Sequence, residues 1–159
     1  MGYAVKLQKG GMQIYDGDKV DVALSGSNTG TYTFTIMYVD RTVIYLRSDN
    51  NMGDCNGSTA IAKKWNWDVT LPNGNRYTSS DPGQEIAKIP TLAEMSRYVD
   101  YFNRSVKGWT SSYVYLPSVG NSQVMYNYCW YTQWSGNKPG CIFTNSGNGE
   151  TLCLIHINL

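Results

Sequence analysis

The sequence predicts an α+β protein, in which a β-rich N-terminal segment precedes a domain built from one clear helix and short antiparallel strands. Residues 1–50 contain alternating and β-branched runs that are typical of strands. Residues 91–105, TLAEMSRYVDYFNRS, show apolar side chains at helical spacing. The chain beyond this helix breaks into short strand-like runs separated by turns rich in glycine and asparagine.

The N-terminal segment carries the clearest strand patterns. KVDVAL (19–24) alternates apolar and polar residues, as a half-buried strand does. YTFTIMYV (32–39) and TVIYLR (42–47) predict a hairpin that turns through Asp40-Arg41.

A polar stretch, SDNNMGDCNGS (48–58), interrupts this pattern. We therefore predict a domain boundary near residue 50. Residues 1–50 are then either the end of an immunoglobulin-like module or the first sheet of the domain that follows, and residues 51–159 form the second domain.

Two local structures are expected before the main helix. STAIAKKW (58–65) favours a short helix. WDVTLPNGNRYT (67–78) favours a hairpin with Pro-Asn-Gly-Asn as its turn and with Trp67, Val69 and Leu71 on one face.

The main helix has a recognisable start. Thr91 follows Pro90 and is a suitable N-cap, and Glu94 stands three residues later, which completes a capping box. The apolar stripe of this helix is expected to face the core, and it consists of Leu92, Met95, Tyr98, Val99 and Phe102.

Composition excludes several classes of partner. Charged residues make up 16% of the 159-residue chain, against about 25% in average soluble domains. The formal net charge is +1, and neither a basic face for nucleic acid nor an apolar run of membrane-spanning length is visible. The low charge and the many polar and tyrosine residues favour an extracellular, β-rich binding protein. Since no signal peptide is visible, we expect this segment to belong to a longer multidomain chain exported through an upstream signal.

Four cysteines, at 55, 129, 141 and 153, leave no odd thiol, and their spacing with a single histidine does not suit zinc. We expect disulfides, for which four cysteines allow three pairings. Nesting Cys129–Cys141 inside Cys55–Cys153 would close one small loop and hold the C-terminal region as a rigid platform.

The order of features from residue 86 resembles the C-terminal lectin-like domain of bacterial surface adhesins of the intimin/invasin type. The matching segments are a helix start, a Gly-Trp pair after the helix, and a last strand that contains a cysteine. In this sequence they are Lys88-Ile89-Pro90-Thr91 with Glu94-Met95, Gly108-Trp109 and LCLIH (152–156).

The resemblance implies a C-type-lectin-like domain with the nested pairs Cys55–Cys153 and Cys129–Cys141. It also implies a non-catalytic adhesion domain at the cell surface that recognises a host-cell protein or glycan. Sugar-binding relatives that use calcium carry Glu-Pro-Asn or Gln-Pro-Asp in a loop, whereas this chain has Asn137-Lys138-Pro139-Gly140 without a nearby carboxylate. We therefore expect neither calcium nor any other cofactor.

The ligand-binding residues are predicted on the aromatic segment around Cys129–Cys141. Strand alternation places Tyr126, Tyr128 and Trp130 on one face, and Tyr131 on the other. Flat rings near amide and amine groups suit a sugar face or a protein contact. The remaining predicted binding residues are Trp134, Asn137 and Lys138.

Catalysis is not expected. His156 is the single histidine and lies near the C-terminus, where we expect it to be a structural residue of a strand. A catalytic pair of Cys153 with His156 is conceivable, but the expected disulfide of Cys153 would exclude it. The main alternative to an adhesin is a trimeric phage tail-fibre or secreted receptor-binding domain, and a weaker one is a fragment of a secreted hydrolase.

Overall fold

The structure is a computed structural model that describes residues 4–6, 13–101, 107–117, 123–130, 141–144 and 147–159. The described residues form eleven strands, two six-residue α-helices and one 3₁₀ turn. In chain order these are β1 Ala4–Lys6, β2 Gln13–Tyr15, β3 Lys19–Gly26, β4 Gly30–Val39, β5 Val43–Ser48, α1 Gly57–Ala62, β6 Trp65–Thr70, β7 Arg76–Thr78, α2 Leu92–Arg97, the 3₁₀ turn Val99–Tyr101, β8 Gly108–Pro117, β9 Gln123–Trp130, β10 Cys141–Thr144 and β11 Leu154–Asn158.

The fold is mostly β, so the predicted α+β, C-type-lectin-like domain built around one clear helix is wrong. In the described part of the helix expected over 91–105, only α2 and the 3₁₀ turn form, because Tyr98 leaves the helical region at φ −111° and ψ 36°. Residues 102–105 of that helix lie outside the described residues. Its predicted start is confirmed, since Thr91 and Glu94 form a complete capping box. A six-residue helix is too short to be stable alone and depends on its packing against strands.

The chain divides into two compact units. The first consists of Met1–Asn50, Lys64–Lys88 and Cys153–Leu159, and the second of Asn51–Lys63 and Ile89–Leu152. The C-terminal strand therefore belongs with strands that lie about a hundred positions earlier in the chain.

The first unit contains a six-stranded antiparallel sheet in the order β11-β5-β4-β3-β6-β7. The sheet curls into a nearly closed barrel. Ala87 pairs with Trp65 of β6, and Lys88 pairs with Leu154 of β11, so the segment between β7 and α2 connects the two sides. Closure satisfies backbone groups that would otherwise be exposed at the sheet edges.

Alternation of side chains fills the inside of this barrel. Along β3 the exposed residues Lys19, Asp21 and Ala23 alternate with buried ones. β5 and β6 repeat this period of two, which the pleat of a strand imposes. The core side chains inside the barrel include Val20, Val22, Leu24, Phe34, Ile36, Ile44, Leu46, Trp65, Trp67, Val69, Ile155 and Ile157.

The second unit contains the three-stranded antiparallel sheet β10-β9-β8 and both α-helices, which pack against β8 and β9. Trp109 is the main buried aromatic residue described here, with 1% of its surface exposed. Its indole Nε1 donates to the Cys55 carbonyl at 2.7 Å, and the Lys107 ammonium lies 4.4 Å from its ring centre. Trp109 thus ties β8 to the segment before α1.

None of the helices in the described parts of the chain has the length and apolar character needed to cross a lipid bilayer.

Candidate functional site

Three of the predicted binding residues lie on β9, the central strand of the second unit. The backbone of Tyr126 pairs with Val114, and that of Tyr128 pairs with Phe143. Trp130 is the last residue of β9. The other four predicted residues, Tyr131, Trp134, Asn137 and Lys138, fall outside the described residues, and the binding role of all seven stays a prediction.

The cysteines do not form the Cys55–Cys153 disulfide in this structure, where both are free thiols. Burial raises the pKa of the Cys55 thiol, against the opposing charge of Lys63, and raises that of Cys153 well above its ordinary value. The backbones of Cys129 and Cys141 lie on the adjacent strands β9 and β10, with Cys129 opposite Ile142 and Cys141 opposite Trp130. The side chains of that pair lie outside the described residues.

Strand β8 exposes the most conspicuous apolar surface among the described residues. Tyr113 is 46% exposed, Val114 38% and Tyr115 54%. The two tyrosine rings meet edge to face, with centroids 5.5 Å apart and planes at 87°. Among the described strands β8 lies at the edge of its sheet, and it pairs with the strand that carries the predicted aromatic residues.

The residues of β8 change from buried to exposed where its pairing with β9 is irregular. Trp109 and Thr110 are buried, and the register with β9 shifts between Trp109 and Tyr113. Within this shift the Ser111 N–H donates to the Pro90 carbonyl, and the Ser112 hydroxyl accepts from the Leu92 N–H. The first half of β8 is therefore fixed against the start of α2, and the second half presents Tyr113 and Tyr115 to solvent.

Sequence reasoning missed Tyr113 and Tyr115 as candidates because it concentrated on the segment between Cys129 and Cys141. A signal was present, since the two tyrosines are two residues apart in GWTSSYVYLP and therefore share a face if that segment is a strand.

A second surface feature lies in the first unit, on the outer face of β3, β6 and β7. It is a hollow of about 470 Å³. The strands contribute small or polar outward-facing residues to its lining, and the turn after β7 adds Ser79 and Ser80. The strand residues on this face are Ala23, Ser25, Asn66, Asp68, Arg76 and Thr78.

Arg76 and Asp68 form a two-point ion pair at this hollow. Arg76 Nε lies 2.9 Å from Asp68 Oδ1, and Arg76 Nη2 lies 2.6 Å from Asp68 Oδ2. These hydrogen bonds lower the pKa of Asp68 and raise the pKa of Arg76, so both groups stay charged near neutral pH. Parallel bonds of this kind fix the plane of the guanidinium.

The single histidine is part of a row of rings on the first unit. The centroids of the His156 and Tyr45 rings lie 4.4 Å apart with planes tilted by 38°, and the Tyr45 ring lies 5.7 Å from Tyr38. The Nδ1 atom of His156 lies 3.5 Å from Glu85 Oε1. This arrangement places His156 in cross-strand packing, because His156 and Tyr45 are directly paired in β11 and β5.

Metal-ligating side chains are not gathered at either feature: in the described residues no three histidine, cysteine, aspartate or glutamate side chains come together in a way that could hold an ion.

Comparison with protein families, with curated proteins and with solved structures finds no match for this chain. The resemblance to intimin/invasin-type adhesins thus stays a prediction from the sequence, and functional inference depends on the geometry described above.

Proposed function

We propose that this chain is a non-catalytic recognition domain of an extracellular or cell-surface protein, and that it binds a host-cell surface protein or glycan through β8. The observation that carries the proposal is the exposed pair Tyr113 and Tyr115 on an edge strand.

Tyrosine suits a contact surface for physical reasons. Its ring offers a large apolar area with only two rotatable side-chain bonds, and its hydroxyl can hydrogen-bond to a partner or to water. The edge-to-face packing of Tyr113 on Tyr115 restrains both rings before any partner arrives. Binding then orders less of the surface, which lowers the entropic cost of association.

Chain composition supports the same proposal. With 13 basic and 12 acidic residues, the protein has little net charge with which to attract nucleic acid or an anionic membrane. Recognition would depend on rings and uncharged polar groups instead.

A second candidate is the trimeric tail-fibre or secreted receptor-binding domain. The edge position of β8 favours it, because an edge strand can pair with a strand of another chain. Sedimentation or light scattering distinguishes the two, since a fibre domain gives three times the 17.8 kDa mass of the chain.

The experiment is a binding assay with fluorescently labelled protein on cultured epithelial cells, read by flow cytometry. The double variant Tyr113→Ser/Tyr115→Ser should give at least ten-fold less cell-bound fluorescence than the wild type. Tyr15→Ser is the control, because Tyr15 is another exposed tyrosine, at 41%, on β2. Pretreatment of the cells with protease or with glycosidases separates a protein receptor from a glycan.

Cell binding that is equal for the wild type and the double variant would overturn the role of β8. Absence of wild-type binding to epithelial, phagocytic and bacterial cells alike would overturn the proposed function as a whole.

A further inference from the structure

We propose that the hollow on the outer face of β3, β6 and β7 is a binding site for a neutral saccharide, distinct from the tyrosine surface of β8.

The depth of the hollow comes from two small residues on β3. Ala23 is paired with Asp68, and Ser25 with Asn66, so each small side chain lies opposite a longer polar one on the same face. A larger residue at position 23 or 25 would fill the space. The resulting hollow of about 470 Å³ falls within the range of about 300–1,000 Å³ that is usual for small-molecule sites.

Hydrogen-bonding groups of fixed orientation line this space. Asp68 holds the guanidinium of Arg76 by Nε and Nη2, and both hydrogens of Nη1 have no partner among the described residues. Asn66 Oδ1 accepts a hydrogen bond from the Ser79 hydroxyl at 3.4 Å. The Asn66 Nδ2 amide group has no hydrogen-bond partner among the described residues. Neighbouring hydroxyls of a sugar ring can accept from these donors and donate to the carboxylate oxygens of Asp68.

The charges at the hollow, one guanidinium and two carboxylates, disfavour an anionic ligand. The positive charge of Arg76 is offset by Asp68 at hydrogen-bonding distance, and Asp81 adds a further negative charge close enough to influence Arg76. An anion would therefore find no excess of positive charge. A cation would compete with Arg76 for Asp68, while Asp81 already accepts from the Thr78 N–H and hydroxyl.

The lining is unsuited to an apolar peptide anchor. The two large apolar residues that reach the hollow, Leu24 and Trp67, are 4% and 2% exposed and belong to the barrel core. Side chains that reach solvent there carry hydroxyl, amide, carboxylate or guanidinium groups, apart from the methyl group of Ala23. Hydroxyl groups of a saccharide match this lining better than apolar side chains do.

The test is saturation-transfer NMR with the intact chain and a panel of methyl glycosides in the gluco, galacto, manno, fuco and N-acetylated configurations. At least one should give saturable transfer. Ala23→Leu and Ser25→Leu fill the hollow at exposed positions and should each weaken that binding at least ten-fold with little change in melting temperature. Thr33→Leu, an exposed residue of β4 outside the hollow, is the control and should stay within two-fold of the wild type.

Glucuronate is the charged probe and should bind more weakly than the neutral glycoside of the same configuration. The proposal is overturned if no neutral glycoside in the panel gives saturable transfer, if Ala23→Leu binds as well as the wild type, or if glucuronate binds best. The double variant Tyr113→Ser/Tyr115→Ser should retain full glycoside binding. A failure of the saccharide proposal can therefore be distinguished from a failure of the proposed β8 contact.

Discussion

The indole of Trp109 lies directly against Gly149, where an added Cβ would be 2.9 Å from the indole Nε1 and 3.1 Å from the Lys107 carbonyl oxygen. Gly149 also pairs with Cys55, whose carbonyl accepts from that same Nε1. The absence of a side chain at Gly149 is therefore what allows the indole to reach its hydrogen-bond partner.

Replacing Gly149 with alanine should destabilise the protein by about 1–3 kcal/mol, as overpacking of a tightly packed site usually does. Chemical denaturation measures the loss. Gly108→Ala is the control, because its Cβ would meet only the flexible end of Met95 at 3.4 Å. Equal stability of the two variants would contradict the packing around Trp109.

Thr91→Ala should lower the stability of the protein by about 1 kcal/mol, since the capping hydroxyl of α2 is lost. The Thr91 hydroxyl accepts from the Glu94 N–H at 3.1 Å, and Glu94 Oε1 accepts from the Thr91 N–H at 2.8 Å. Thr91→Ser keeps the hydroxyl and should match the wild type in thermal unfolding. A loss as large in the serine variant would show that the methyl group, and not the cap, is what matters.

Asp40 should make the protein less stable in acid. Its carboxylate accepts hydrogen bonds from the N–H groups of Thr42 and Val43 and from the hydroxyls of Thr42 and Tyr38. Together they lower the pKa of Asp40 from 3.8 to about 2, and the Thr42 N–H contributes most. Because the folded pKa is below the unfolded one, the stabilisation is complete above pH 4 or so and is lost as the pH falls toward 2. Carboxyl NMR should give a midpoint of about 2 for Asp40, and a midpoint near its ordinary value would contradict the turn geometry.

The same turn gives a second check on Asp40. Asp40→Asn should flatten the acid limb of the curve of melting temperature against pH, because the substituted side chain no longer titrates. An unchanged acid limb in Asp40→Asn would show that other carboxylates govern acid unfolding.

Cys55 and Cys153 should be recovered as thiols. Alkylation of unreduced, denatured protein followed by peptide mapping should label both residues. In the native protein Cys153 should resist labelling, because it is fully buried and its pKa is raised well above the ordinary value. A peptide that joins Cys55 to Cys153 would contradict the structure and restore the pairing expected from the sequence.

The local parts of the fold could be predicted from patterns in the sequence. The strand over 19–24 and the hairpin turning at Asp40-Arg41 are confirmed. The short helix expected over 58–65 is confirmed only in its first part, since α1 ends at Ala62 and Trp65 already belongs to β6. Trp67, Val69 and Leu71 are buried, as their alternation in the β6 hairpin indicates. Each of these features depends on residues that are close in the chain.

The pairing of distant elements could not be read in this way. β11 pairs with β5, so Leu154 lies opposite Arg47, and periodicity alone does not identify such a partner. The α-helix that begins after Thr91 is shorter than its apolar stripe predicts, because a stripe at helical spacing does not reveal that the backbone leaves the helix at Tyr98.

The type of candidate site could be predicted from the sequence, but its location could not. Aromatic residues in the C-terminal half indicated a recognition surface, but exposure decides which rings are available. In that half the described residues show Tyr113 and Tyr115 exposed. The hollow near Arg76 had no signal in the sequence, because it depends on two small residues of β3 lying opposite Asn66 and Asp68 of β6.

The central claim is that Tyr113 and Tyr115 contact the partner and do not support the core. Its most direct test is to measure, on one preparation each of wild type, Tyr113→Ser and Tyr115→Ser, both the melting temperature and the dissociation constant for the cell surface. We predict that each substitution weakens cell binding at least five-fold while the melting temperature stays within about 2 °C, as expected of exposed positions. Unchanged binding with a clearly lowered melting temperature would place the two rings in the core and contradict this account.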